Sequence, residues 1–106
     1  MLSIEDFKNV EMTVAQIKEA VEHPDADRLF LLKVDTGKEV RQLVAGIRSS
    51  YTTDQLIGRR VIIVSNLEPA TIRGQESQGM VLAVSDENGT SLLAPDRDVA
   101  LGSRVR

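Results

Sequence analysis

Five arginines, and no other basic residue, lie between positions 41 and 73: Arg41, Arg48, Arg59, Arg60 and Arg73, against only Asp54 and Glu68. Arginine carries a planar fork of donors that fits phosphates and base edges. The same pattern also describes scattered, solvated charge. The surroundings sharpen the contrast. Residues 1–40 hold nine acids and five bases, residues 74–106 hold five acids and three bases, and the whole chain is −3. The middle third is therefore the only net-basic part of an acidic protein. Arg28, in the acidic first third, is expected to lie outside any anion-binding surface. A chain this acidic is not a general nucleic-acid coat protein, and two Phe, one Tyr and no Trp are too few for a base-stacking platform.

The remaining chemistry is sparse. The one histidine sits in His23-Pro24-Asp25-Ala26-Asp27. A histidine with two carboxylates is a conceivable metal cluster, but the same residues make a turn whose Asp side chains bond the backbone, and the turn is the expectation. There is no cysteine, hence no disulfide, thiol nucleophile or thiolate site. Gly74 and Gly79 flank Gln75-Glu76-Ser77-Gln78 without a following Lys-Ser/Thr, so this is not a phosphate loop. No nucleophile elbow or paired-carboxylate site appears. The sequence reads as a non-enzyme, with neither cofactor nor metal.

The stretch Asn66 to Met80 mixes an amide, an arginine, a hydroxyl and two glycines with few apolar anchors. Such a surface suits a polar partner met through hydrogen bonds. Its bland alternative is a structural loop whose glycines permit unusual backbone angles.

The elements around it are mostly short strands. Ser3 caps a short helix through about Lys8. Residues 10–21 form a long strand in which Met12 and Val14 differ in parity from Ile17 and Val21, requiring a bulge or curl between 14 and 17. Leu29–Val34 and Val40–Ile47 pair across a turn at Asp35-Thr36-Gly37-Lys38. Thr52–Gly58 gives one or two helical turns. Val61–Val64 and Val81–Val84 read as buried strands, the second turned back by Glu87-Asn88-Gly89-Thr90 into Leu92–Ala94, and Val99–Val105 closes the chain. About five strands with a helix between the third and fourth describe an all-β, five-stranded Greek-key barrel of the oligonucleotide/oligosaccharide-binding (OB) type with short helices, one domain over residues 1–106.

These residues carry a resemblance. Asn66-Leu67-Glu68-Pro69 followed by Gly74-Gln75-Glu76-Ser77-Gln78-Gly79-Met80 resembles the Asn-Leu-x-Pro … Gly-x-x-Ser-x-Gly-Met signature of the tRNA-binding domain family. That family includes free-standing dimeric tRNA-binding proteins, the appended C-terminal domain of methionyl-tRNA synthetase and the domain of endothelial monocyte-activating polypeptide II. Ile4–Val10, His23–Leu29, Val44–Ile47 with Tyr51-Thr52, and Pro95–Val99 are similar to other parts of its pattern, so the resemblance covers nearly the whole chain. It implies binding of tRNA by shape at the outer corner of the L, without reading an anticodon. It assigns Arg41 and Arg73 to phosphate contact, with Arg59 and Arg60 as secondary candidates. Asn66 and Ser77 would bond ribose or a base edge, and Met80 would either pack in the core or flank a base. It further implies a homodimer paired through the N-terminal helix and closing segment, or service to a methionyl-tRNA synthetase. The sequence departs from the family at Ala70 and Thr71, where basic residues are common. Each lost cation removes one phosphate neutralisation. The rival within the same fold is a CsaA-type peptide-binding chaperone, whose members differ at Asn66-Leu67, Gly79 and Met80. Without a secretory-type N-terminus or a membrane-length apolar run, the expected location is the cytoplasm.

Overall fold

Five antiparallel strands that bury apolar side chains against one another curl into a barrel. The computed structural model describes residues 1–106. Chain order is α1 (Ile4–Lys8), β1 (Met12–Glu22), β2 (Phe30–Asp35), β3 (Val40–Ala45), α2 (Thr53–Leu56), β4 (Arg60–Val64), β5 (Ala70–Ile72), β6 (Gln75–Ser77), β7 (Met80–Val81), β8 (Ala83–Asp86) and β9 (Gly89–Leu92). The main sheet is five-stranded in the order β3-β2-β1-β4-β7, with antiparallel pairing throughout. A meander of three strands with the fourth returned beside the first is a Greek key. The sheet forms a nearly closed barrel of the OB type. Its core is a cluster of Ala15, Ile17, Leu32, Val34, Leu43, Val61, Ile63 and their neighbours, capped by Leu56 of α2.

Ser3 starts α1 through a capping box: its Oγ accepts from the Asp6 N–H at 3.1 Å, and the Asp6 carboxylate accepts from the Ser3 N–H at 3.5 Å. The curl of β1 lies further on than its parity suggested. The pairing of β1 with β2 shifts register between Ile17 and Glu19. Val14 breaks the expected parity for a different reason. It is buried outside the central cluster, where its backbone N–H donates to Ser103 and its carbonyl accepts from Gly102. The closing segment thus covers that face and makes a strand-like bridge from Thr13 to Arg104.

Two expectations need correction. Val81–Val84 is not one buried strand. It breaks at Leu82, whose N–H donates to Ile62 and whose carbonyl accepts from Leu93, and Val84 is exposed. The hairpin β8–β9 follows, with Asp86 paired to Gly89 and Glu87-Asn88 as its turn; β8 is exposed throughout, and β9 returns to the core at Leu92. Residues 66–80 are not a plain loop, because they contain the hairpin β5–β6 and the start of β7.

Candidate nucleic-acid interface

The hairpin β5–β6 is set by two residues. Ile72 pairs with Gln75, leaving Arg73-Gly74 as a two-residue turn. Both have positive φ, 52° for Arg73 and 83° for Gly74, as a type I′ turn requires. Glycine adopts this freely, whereas for arginine it is unfavourable by roughly 1–2 kcal/mol. Arg73 is the one residue other than glycine with positive φ in the molecule. Strain of this kind tends to collect at sites of function.

The hairpin is moored on two sides. His23, at the end of the β1–β2 turn, is only 3% exposed. Its Nδ1 accepts from the Asp25 N–H at 3.0 Å, and its Nε2 lies 3.2 Å from the Ile72 carbonyl. With Nδ1 an acceptor, the ring carries its hydrogen on Nε2 and donates it to Ile72. Both nitrogens are thus committed to backbone. On the other side, the Gln42 amide donates to the Glu76 carbonyl at 2.9 Å. Gln78 bonds Gln42 reciprocally, its N–H donating to the Gln42 carbonyl and its Oε1 accepting from the Gln42 N–H.

Several polar signature residues are occupied in closing the barrel. Ser77 is 4% exposed. Its Oγ accepts from the Val44 N–H and donates to the Gly79 carbonyl, each at 3.0 Å. The hydroxyl expected to contact ribose or a base is therefore buried here, with both its hydrogen-bonding roles filled within the chain. Asn66 has a similar task. Its Oδ1 accepts from the Glu11 N–H at 2.9 Å and its Nδ2 donates to the Asn9 carbonyl at 2.8 Å, fastening the end of β4 to the α1–β1 junction. Gly79 approaches Val64 so closely that an added Cβ would lie 2.8 Å from the Val64 carbonyl oxygen. Met80, by contrast, is 49% exposed and is not core.

The arginines separate as clearly. Arg41 donates through Nη1 to the Ser65 carbonyl at 2.6 Å and pairs through Nε with Glu39. Arg48 donates to the Ala26 carbonyl, pairs with Glu22 at 2.8 Å and lies over the Phe30 ring. Arg59 stacks over Tyr51 with its Nε donating to the Gln55 carbonyl. Arg60 donates to the Val99 carbonyl at 2.6 Å. Of the five, Arg73 alone makes no side-chain hydrogen bond or ion pair within the protein. Nor do the candidates share one surface: Arg41 lines a hollow with Lys38 and Glu39, Arg59 and Arg60 line one with Asp96 and Asp98, and Arg73 lines a third with Arg28.

The shared hollow of Arg28 and Arg73 and the His23 mooring were not foreseen from sequence. A two-residue turn before Gly74, between the β-compatible runs Ala70-Thr71-Ile72 and Gln75-Glu76-Ser77, was an available signal for the hairpin. Nothing local signalled that its tip meets the β1–β2 turn.

The fold is thus a small, nearly closed barrel with an unpartnered arginine of positive φ at the tip of a moored hairpin. Residues 12–104 match the family model described as "Putative tRNA binding domain". The chain belongs to the tRNA-binding domain family. It is 50% identical over 105 residues to the methionine–tRNA ligase of Pyrococcus horikoshii, covering 99% of this chain and 14% of that protein. It therefore spans only a small fraction of the curated relatives it matches. Among solved structures it is similar to a MetRS-related protein of Pyrococcus horikoshii, with a TM-score of 0.92, 33% identity and coverage of 100% and 98% of the two chains. It is also similar to the CsaA chaperone of Picrophilus torridus, with a TM-score of 0.93, 28% identity and full coverage of both chains.

Proposed function

We propose that residues 1–106 act as one non-catalytic module that binds tRNA by shape, either free-standing or in service of a methionyl-tRNA synthetase. The observation that carries this reading is Arg73: the one mid-chain arginine with no partner in its own chain, held at a hairpin tip in a backbone conformation that disfavours it. The family match and the identity to methionine–tRNA ligases support tRNA as the anion. Met80, half-exposed at the start of β7, offers an apolar surface for a base or ribose. Arg41, Arg59, Arg60, Asn66 and Ser77 hold the frame that presents them.

The test is Arg73→Ala with several purified tRNAs. Phosphates carry no sequence information, so affinity should fall by a similar factor for all of them. The slope of log affinity against log salt should fall by about 0.7–0.9, the value of one neutralised phosphate. A loss confined to one tRNA would mean that Arg73 reads a base.

The same reading includes a homodimer. Ile4, Phe7, Val10 and Val105 line an apolar hollow of about 220 Å³ between α1 and the chain's last residues, and Met1, Leu2, Ile4 and Val10 are exposed. Covering that surface would remove apolar area from water, and a twofold pair would double the phosphate contacts on one RNA. Analytical ultracentrifugation at micromolar concentration should show a dimer. A species of 11.7 kDa alone would remove the pairing.

The chaperone reading has the fold likeness to CsaA behind it. It calls for an apolar groove that binds extended peptides. Binding of an unfolded polypeptide that tRNA does not displace would favour it.

A further inference from the structure

The third hollow joins two parts of the chain that are far apart in sequence. It encloses about 350 Å³ and is lined by Ala26, Asp27, Arg28 and Leu29 from the β1–β2 turn and by Arg73 from the tip of the β5–β6 hairpin. Arg28 and Arg73 are both exposed, and neither side chain has a hydrogen-bond or ion-pair partner. Two guanidinium groups and one carboxylate, Asp27, give the hollow a net positive charge within an acidic protein. Like charges on one small surface repel, and the single carboxylate of Asp27 offsets only one of the two.

Both walls are rigid. Arg48 braces the β1–β2 turn by donating to the Ala26 carbonyl at 3.2 Å. His23 ties that turn to the hairpin through the Ile72 carbonyl, one residue before Arg73. The two arginines thus hang from turns locked to each other by a buried ring. With both backbones held, only the two side chains must order when their donor forks bind a tetrahedral anion.

We infer that Arg28 and Arg73 grip a single backbone phosphate of the bound RNA in this hollow, making Arg28 an RNA contact despite its place in the acidic first third. The inference rests on the tRNA reading above. Arg28 supplies the second fork, and the phosphate relieves the repulsion between the two cations. The position of Arg28 in sequence argued the opposite, because charge counted along the chain does not report which turns meet in space.

The experiment is a double-mutant cycle of Arg28→Ala, Arg73→Ala and the double variant, with bulk tRNA titrated across a salt series. Thermal melts establish that each variant is folded, which is expected because neither side chain has an internal partner. Each single variant should bind roughly 3–10-fold more weakly, in line with the loss of one solvent-exposed contact. The double variant should lose clearly less than the product of the two, because the residues share one partner. Its salt slope should fall by about 0.7–0.9 in total. Unchanged affinity in Arg28→Ala, with Arg73→Ala weakened, would overturn the shared grip and leave the tRNA reading standing. Additive losses with a slope fall twice as large would assign two separate phosphates and overturn it equally. Failure of the unsubstituted protein to bind tRNA would remove the tRNA reading and this inference together.

Discussion

Gly79→Ala is expected to destabilise the protein by about 2–6 kcal/mol, enough to unfold much of a marginally stable domain. Two costs add. At a φ of 146° an L-residue is strained, typically by about 1–3 kcal/mol. The new Cβ would also lie 2.8 Å from the Val64 carbonyl oxygen and 3.1 Å from Leu43 Cδ2. Neither neighbour yields easily: Val64 belongs to β4 and Leu43 is fully buried in β3. Overpacking of this kind costs about 1–3 kcal/mol. Gly74→Ala is the control. Its φ is 83° but nothing lies within 4 Å of the added atom, so only strain of about 1–2 kcal/mol applies. Urea titrations of the two variants should separate them. Equal losses would mean that Gly79 matters for its backbone angle alone and that the contact between the 77–79 segment and β4 is loose.

Ile63→Ala is expected to cost about 2–5 kcal/mol. Ile63 lies in β4 between β1 and β7, paired with Thr13 and Val81, and its side chain is fully buried in the central cluster. Truncation removes apolar surface and leaves a hole that a closed barrel cannot collapse to fill. Chemical denaturation measures the loss directly. A loss below about 1 kcal/mol would show that the barrel relaxes around the site.

What could be read from the sequence followed from local patterning. Val61–Val64, Leu29–Val34 and the capped helix after Ser3 declare themselves through apolar runs, turn residues and a capping pair that lie close together in the chain. The barrel class and the family signature were legible in the same way. The signature's polar residues were harder. Asn66 and Ser77 look like ligands because polar side chains between strands usually face water, yet their partners, Asn9, Glu11 and Val44, are far away in sequence. The same distance hid Arg28, which lines one hollow with Arg73 where the His23 ring joins the β1–β2 turn to Ile72. Val84 shows the converse. Its apolar type suggested burial, but β8 leaves the barrel after Leu82 and carries it into solvent.

The central claim is that Arg73 is retained at the hairpin tip for binding, at a cost in stability. Arg73→Asn tests both halves at once. Asparagine tolerates positive φ and precedes glycine in the favoured type I′ turn, so the free protein should become more stable by about 1 kcal/mol. The same substitution removes the one unpartnered cation of residues 41–73, so tRNA should bind about tenfold more weakly, the loss of roughly 1.4 kcal/mol. The decisive measurement is the pair of values for one preparation, denaturation midpoint and tRNA dissociation constant. The account predicts that the midpoint rises while binding weakens. A variant that gains stability and keeps its affinity would show that Arg73 does not touch the RNA and would contradict the account.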